Sequence, residues 1–396
     1  MTVIPKPLSP LVKTLNQHPF CPRICHLKIT ASSPLIFQTL FKDSNTSFWL
    51  DSAKLETGLT RFSVMGDLSG PYAYKLEYNS KTQCLTKSFA TSKPESIPLA
   101  SKHGLFPWMA KEMRRITINN GHWKSHSVSD NIADTLPFDF WGGFVGYIGY
   151  ELKAEALGCT NRSMSREWST ISAEPFPDAS FLFADRAIVF DHDQGSVYIL
   201  ALERDDVEGS ANIQRDWLEA TRVKIINLNT SDSLLAPSRS PTIPASKTHD
   251  LPPNFSIRHP REAYIKNIEE SLCQITKGET YEVCLTTQIR TKIPTDPAFT
   301  PLDFYLHLRT RNPAPYGAFL HFSPDFSIVS SSPERFIKID REGHLSMKPI
   351  KGTVARSTDL EEDQRRRHEL ELSEKDRAEN LMVRLFARRS THLNEL

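Results

Sequence analysis

Three short stretches in the second half of the chain hold side chains whose types and spacing suit chemistry. In Leu345-Ser-Met-Lys-Pro-Ile-Lys-Gly-Thr353, strand alternation puts Leu345, Met347, Pro349 and Lys351 on one face. An ammonium among apolar neighbours loses hydration, its pKa falls, and the neutral amine is a nucleophile. Gly352 removes a side chain where a ligand could approach the backbone, and the Thr353 hydroxyl can donate or accept a hydrogen bond. Upstream, Ser331-Ser-Pro-Glu-Arg335 sets Glu334 at a strand end, where a carboxylate beside a lysine strand can serve as general acid or base. Downstream, Asp376, Glu379 and Asn380 stand at i, i+3 and i+4, a helical face of oxygen ligands suited to Mg²⁺. Taken singly, the letters favour plainer readings: a lysine snorkelling to water, a surface Glu334 paired with Arg335, and a solvated charged helix.

The periodicity supplies elements to hold these residues. Strands are expected near 318–322, 326–331, 335–340 and 344–350, divided by Ser-Pro and Arg-Glu-Gly turns as an antiparallel meander. The charged run 358–382 has few breakers and reads as a long helix. Tyr264, Ile268, Leu272 and Ile275 fall at helical spacing, so a helix is expected over 260–277 with Gly278 as its stop. In the following Tyr281–Ile289, Tyr281, Val283, Leu285 and Ile289 share one face of an expected core strand. Earlier strands are expected at Ser47–Leu50, Arg61–Met65 and Tyr72–Tyr78, with a hairpin of Phe181–Phe190 and Val197–Leu202 around Asp191–Gly195. The Ser-, Thr- and Pro-rich stretch Asn229–Pro253 reads as a linker. The sum is an α+β fold of mostly antiparallel sheets with flanking helices.

Composition narrows the function classes. The 396 residues are 39% hydrophobic and 24% charged, which suits a globular chain of about two domains. A formal net charge of +1 gives no field to draw the chain to nucleic acid or an anionic membrane, so a small-molecule substrate is expected. The six cysteines lack zinc-site spacing, Cys21 and Cys25 having no second pair nearby, and read as reduced thiols of a cytoplasmic protein. Met1–Phe20 holds no continuous apolar stretch, so neither a signal peptide nor a membrane span is expected. The glycines of Gly142–Gly149 do not match GxGxxG, and His368 with Glu369 and Glu371 fails the HExxH spacing.

In combination, Pro349-Ile-Lys-Gly-Thr353, Ser332-Pro-Glu-Arg-Phe336 and Asp376-Arg-Ala-Glu-Asn-Leu-Met382 resemble, in order and spacing, motifs of chorismate-utilising enzymes. Gly278-Glu-Thr-Tyr-Glu-Val-Cys-Leu285 resembles a fourth. Phe140–Glu151 and Arg61–Gly66 look like the N-terminal domain of the anthranilate synthase and aminodeoxychorismate synthase large subunits, so the resemblance spans residues 35 to 382. It implies the anthranilate synthase component I fold. A lysine at the 351 position marks the aminodeoxychorismate synthases of the family. The resemblance implies that neutral Lys351 attacks C2 of chorismate, that Glu334 acts as general acid and base, and that Glu379 helps hold Mg²⁺ against the substrate. Gly352 and Thr353 would line the substrate site. Ammonia would come from glutamine, through a glutamine amidotransferase subunit or a domain upstream of Met1. Related subunits bind tryptophan beside an Asn-Pro-x-Pro-Tyr segment, here Asn312–Tyr316, which implies contacts from Ser52 and Pro313.

The expected organisation is an N-terminal extension (1–34), an N-terminal domain (35–228), a linker (229–255), a chorismate-binding region (256–382) and a tail (383–396). After Met382 the family continues with an Arg-Asn-Asp-type stretch, whereas this chain reads Val383 to Leu396 without it. An incomplete chorismate-binding domain is therefore expected, poorly soluble and inactive unless a separate fragment completes it. Anthranilate synthase, and a non-catalytic fragment occupying a glutaminase, stand as the alternative readings.

Overall fold

The computed structural model describes residues 20–55, 60–90, 92–99, 104–116, 124–125, 136–156, 176–204, 207, 209–231, 255–292, 299–340 and 343–382. The chain divides into two compact units, Met1–Ala236 with Leu308–Leu396, and Pro237–His307. The expected tail 383–396 and most of the expected linker lie outside the described residues.

Two antiparallel sheets build the first unit. The strands of the larger are β1 (Cys21–Lys28), β2 (Ser47–Asp51), β3 (Phe62–Asp67), β7 (Lys124–Ser125), β10 (Arg186–Asp191), β11 (Ser196–Glu203), β14 (Tyr316–Ser323) and β15 (Phe326–Ser332). They run in the order β15-β14-β2-β3-β10-β11-β1-β7, and the short β1–β7 pair is parallel. The smaller sheet orders β6 (Glu95–Pro98), β5 (Cys84–Phe89), β4 (Tyr74–Asn79), β9 (Ala179–Ala184) and β8 (Gly143–Ile148). Side chains alternate across the pleat, so Phe48, Leu320 and Phe322 of β2 and β14 pack against Val145, Leu182 and Ala184 of β8 and β9. Their neighbours Trp49 and Phe319 point the other way and meet Phe37 of the helix Ser33–Phe41, with Trp49 stacked at 4.9 Å. A second core joins Tyr74, Leu76, Leu85 and Phe183 to Leu105 and Met109 of the helix Leu105–Arg115.

The expected strands near 47, 61 and 72 form as β2, β3 and β4, and the turn at Asp191–Gly195 joins β10 to β11. The run 181–190 is not one strand: it crosses between sheets at Asp185, which accepts the Tyr72 N–H at 2.8 Å on its side chain and the Leu202 N–H at 2.8 Å on its carbonyl. Apolar residues on both faces of that run hide the crossing from its periodicity. The meander also differs. Strands β14 and β15 pair along their length with a register shift between His321 and Ser323, but 335–340 and 344–350 shrink to the two-residue strands β16 (Lys338–Ile339) and β17 (Leu345–Ser346), between which the Asp340 side chain accepts the His344 N–H at 2.7 Å. The charged helix forms as Leu360–Leu372 and a second segment, 374–382, with a break at Ser373, whose ψ of 113° leaves the helical region. Asp359 caps the first by accepting the Glu361 and Glu362 N–H groups.

In the second unit the expected helix is Arg261–Thr276, and Gly278 ends it at φ +79°. The expected core strand at Tyr281–Ile289 does not form. Only β13 (Ile289–Arg290) pairs, with β12 (Ser256–Ile257), and Tyr281 is 56% exposed. Its apolar alternation has no partner strand among the described residues to supply a ladder, and alternation without pairing leaves backbone groups to water.

Candidate active site

Lys351 lies in a segment, 347–357, that belongs to no helix or strand, so side chains rather than a ladder fix its backbone. Residues Met347, Pro349 and Lys351 are half-buried while Ser346, Lys348 and Ile350 are exposed, the alternation of an extended chain. Two distant residues hold the peptide between Pro349 and Ile350. Glu334 accepts the Ile350 N–H on Oε1 at 3.0 Å across 16 residues, and Asn380 donates its Nδ2–H to the Pro349 carbonyl at 3.3 Å across 31. Gly352 follows with φ +79°, and a Cβ built there would lie 2.8 Å from Asp376 Cγ and 2.9 Å from Leu370 Cδ1. The positive φ favours glycine, and a Cβ there would require the Asp376 and Leu370 side chains to move.

The three chemically suggestive stretches therefore converge. Asp376, Glu379 and Asn380 are the half-buried face of the 374–382 helix, while Lys375, Arg377 and Ala378 face out. An open cleft of about 650 Å³ is lined by Lys351, Asp376 and Asn380, with Glu371, Glu374 and Arg377. Thr353 and Glu334 are exposed, and Glu379 sits 4.0 Å from Lys375. The Lys351 cleft offers an amine, carboxylates and a guanidinium, the groups that bind an anionic substrate and move protons on it. Among the described residues no group of three His, Cys, Asp or Glu side chains gathers to hold a metal ion. The helix still presents hard oxygen donors, and Mg²⁺ needs only one or two protein carboxylates when water and substrate oxygens complete its shell.

Ser52 and Pro313 belong to a second group, at the end of the β2–β14 pair, where the Lys54 N–H reaches the Ala314 carbonyl at 3.1 Å. Ser52 is buried and its hydroxyl donates to the Phe62 carbonyl at 2.8 Å, whereas Pro313 is exposed. Behind Ser52 lies a polar network that its sequence neighbours gave no sign of. Ser63 Oγ donates to Asp51 at 3.0 Å, accepts the Ser52 N–H at 3.0 Å and meets His192 Nε2 at 2.8 Å. With its one proton on Asp51, the hydroxyl can only accept from His192, which fixes the Nε2–H tautomer. Burial holds His192 below its ordinary pKa, against the pull of Asp51. Arg309 Nε closes the network on Asp51 Oδ2 at 2.6 Å, over the Trp49 ring. His192 and Arg309 come from segments more than 100 residues apart, so no local spacing could announce them.

Comparison with known proteins gives a consistent result. The family model described as chorismate binding enzyme matches residues 80–392. The chain is 38% identical over 359 residues to the chloroplastic aminodeoxychorismate synthase of Arabidopsis thaliana, covering 88% of this chain and 36% of that protein. It is 38% identical over 352 residues to the aminodeoxychorismate synthase of Streptomyces griseus, covering 88% of this chain and 42% of that protein. The chain thus spans well under half the length of these relatives. Among solved structures it resembles anthranilate synthase component I from Streptococcus pneumoniae, with a TM-score of 0.51, 20% identity, and coverage of 85% of this chain and 62% of that one. That likeness shows the expected fold: helices with mostly antiparallel sheets.

Proposed function

The chain belongs to the chorismate binding enzyme family, and on that footing we propose that its Lys351 cleft serves aminodeoxychorismate synthesis. What carries the reading is the convergence on one peptide: Glu334 and Asn380, far apart in sequence, bind the two sides of the Pro349–Ile350 peptide beside the lysine. The domain division proposed for the chain gives 35–228 the role of scaffold and 256–382 the chemistry, with 229–255 between them.

In the proposed reaction the neutral Lys351 amine bonds to C2 of chorismate as the two conjugated ring double bonds each shift one position toward C4 and the C4 hydroxyl leaves, protonated by Glu334 to depart as water. Ammonia then bonds to C4, both double bonds shift back, and the C2–N bond breaks to return the amine. Glu334 takes up the proton that ammonia loses. Oε1 of Glu334 is engaged by Ile350, which leaves Oε2 for both transfers. Gly352 and Thr353 would line the substrate, and Glu379 would give one carboxylate to Mg²⁺, which when bound neutralises a substrate carboxylate. Ammonia is assigned to a glutamine amidotransferase partner or fused domain. Ser52 and Pro313 are proposed as contacts for tryptophan.

Cys84, Cys273 and Cys284 are free thiols, which suits the reducing cytoplasm assigned here. No helix among the described residues is long and apolar enough to cross a membrane. The test supplies the chain with chorismate, an ammonium salt and Mg²⁺ and follows 4-amino-4-deoxychorismate. Lys351→Ala is expected to abolish its formation. Anthranilate as product, or a rate that survives Lys351→Ala, overturns the reading.

A further inference from the structure

We infer that Asn380 is a positioning residue for Lys351, an inference that rests on the lysine reading above and assigns Asn380 a role other than metal ligand. The peptide between Pro349 and Ile350 is planar, with its carbonyl and N–H on opposite sides. Asn380 donates to the carbonyl at 3.3 Å while Glu334 accepts from the N–H at 3.0 Å, so the plane cannot rotate without breaking both bonds. On the far side of Lys351, Gly352 lies against Asp376, one helical turn before Asn380 on the same face. Lys351 is therefore bracketed between two contacts made by a single helix face. The bracket matters because 347–357 has no ladder of its own: without it, the backbone before Lys351 is free to turn and carry the amine out of the cleft.

Only a donor can serve at position 380, since the group it faces is a carbonyl oxygen. Asn380→Asp keeps the shape and sets two acceptors face to face; Asn380→Leu keeps the bulk without a polar group; Asn380→Gln keeps a donor on a longer arm. The readout is the rate at which an acylating reagent modifies Lys351 between about pH 7 and 11, a range that spans the ordinary lysine pKa. Peptide mass spectrometry reads it, with Lys348 and Lys277 as internal controls. Each of Asp and Leu should change the Lys351 rate at a given pH about fivefold and move the midpoint of its profile, the weight of one neutral hydrogen bond. The controls should hold steady and Gln should restore most of the profile. A Lys351 profile that Asp and Leu leave unmoved, or one that shifts together with the controls, overturns the inference. If Leu unfolds the chain, the isosteric Asp variant decides alone. Modification needs no turnover, so this result stands apart from the assay of Lys351→Ala, whose failure would remove the proposed reaction and not the bracket.

Discussion

Replacing Gly352 with alanine tests the geometry around Lys351 from two independent directions. The residue sits at φ +79°, where a side chain costs about 1–2 kcal/mol relative to the right-handed region. The added Cβ would lie 2.8 Å from Asp376 Cγ and 2.9 Å from Leu370 Cδ1, well inside the roughly 3.5–4.0 Å at which carbon atoms attract. Relieving that contact by moving either side chain adds about 1 kcal/mol or more, the scale of mild overpacking. The total is about 2–3 kcal/mol, borne locally by the helices Leu360–Leu372 and 374–382. Amide hydrogen exchange reads this directly. At the upper end of that range the helix amides should exchange about a hundredfold faster in Gly352→Ala, with the sheet amides of β4 and β9 unaffected. In an Asp376→Ala background the same substitution should cost about 1 kcal/mol less, because the closest obstacle is gone while the backbone strain and Leu370 remain. An equal cost in both backgrounds would refute the contact with Asp376. A substitution that changes exchange less than about threefold would refute the strain as well.

Two further predictions concern buried charge in the sandwich that carries the site. Burial pushes the Asp185 carboxyl up to about 6, against the hydrogen bond from the Tyr72 N–H and the neighbouring Arg186 charge, which both pull it down. Because the folded state then binds the proton more tightly, the protein should gain stability as pH falls from about 6 toward the ordinary aspartate value near 4, and lose it as pH rises through 6. Asp185→Asn should be about 2 kcal/mol more stable than the parent at neutral pH, with the gap narrowing by about 1 kcal/mol at pH 5 in denaturant titrations; a gap that stays constant would contradict the assignment. Glu112 accepts from Lys87 and Tyr74, both at 3.0 Å, and from Arg115; burial alone would raise its carboxyl, but the bonds from Arg115 and Lys87 outweigh burial and hold it below the ordinary range. Glu112→Gln should cost about 3 kcal/mol by leaving the Lys87 charge buried without its partner, visible as a lowered thermal midpoint, and a neutral result would mean that Lys87 finds other solvation.

The sequence by itself determined the local frames of the candidate residues. Strand alternation around Lys351, the i, i+3, i+4 face of Asp376, Glu379 and Asn380, and the helix ending at Gly278 follow from backbone periodicity, which operates over a few residues and is written in the letters. Tertiary structure decided which of these elements meet. Nothing local says that 344–350 keeps a ladder only at Leu345–Ser346, that the apolar run 181–190 crosses between sheets at Asp185, or that Tyr281–Ile289 stays largely unpaired. Those outcomes depend on which strands are available to share hydrogen bonds, a property of the whole sheet. The role of Asn380 was hidden for the same reason. On its helix it reads as one more oxygen ligand, and only the approach of the Pro349 carbonyl across 31 residues turns its amide into a donor that holds the lysine's backbone in place.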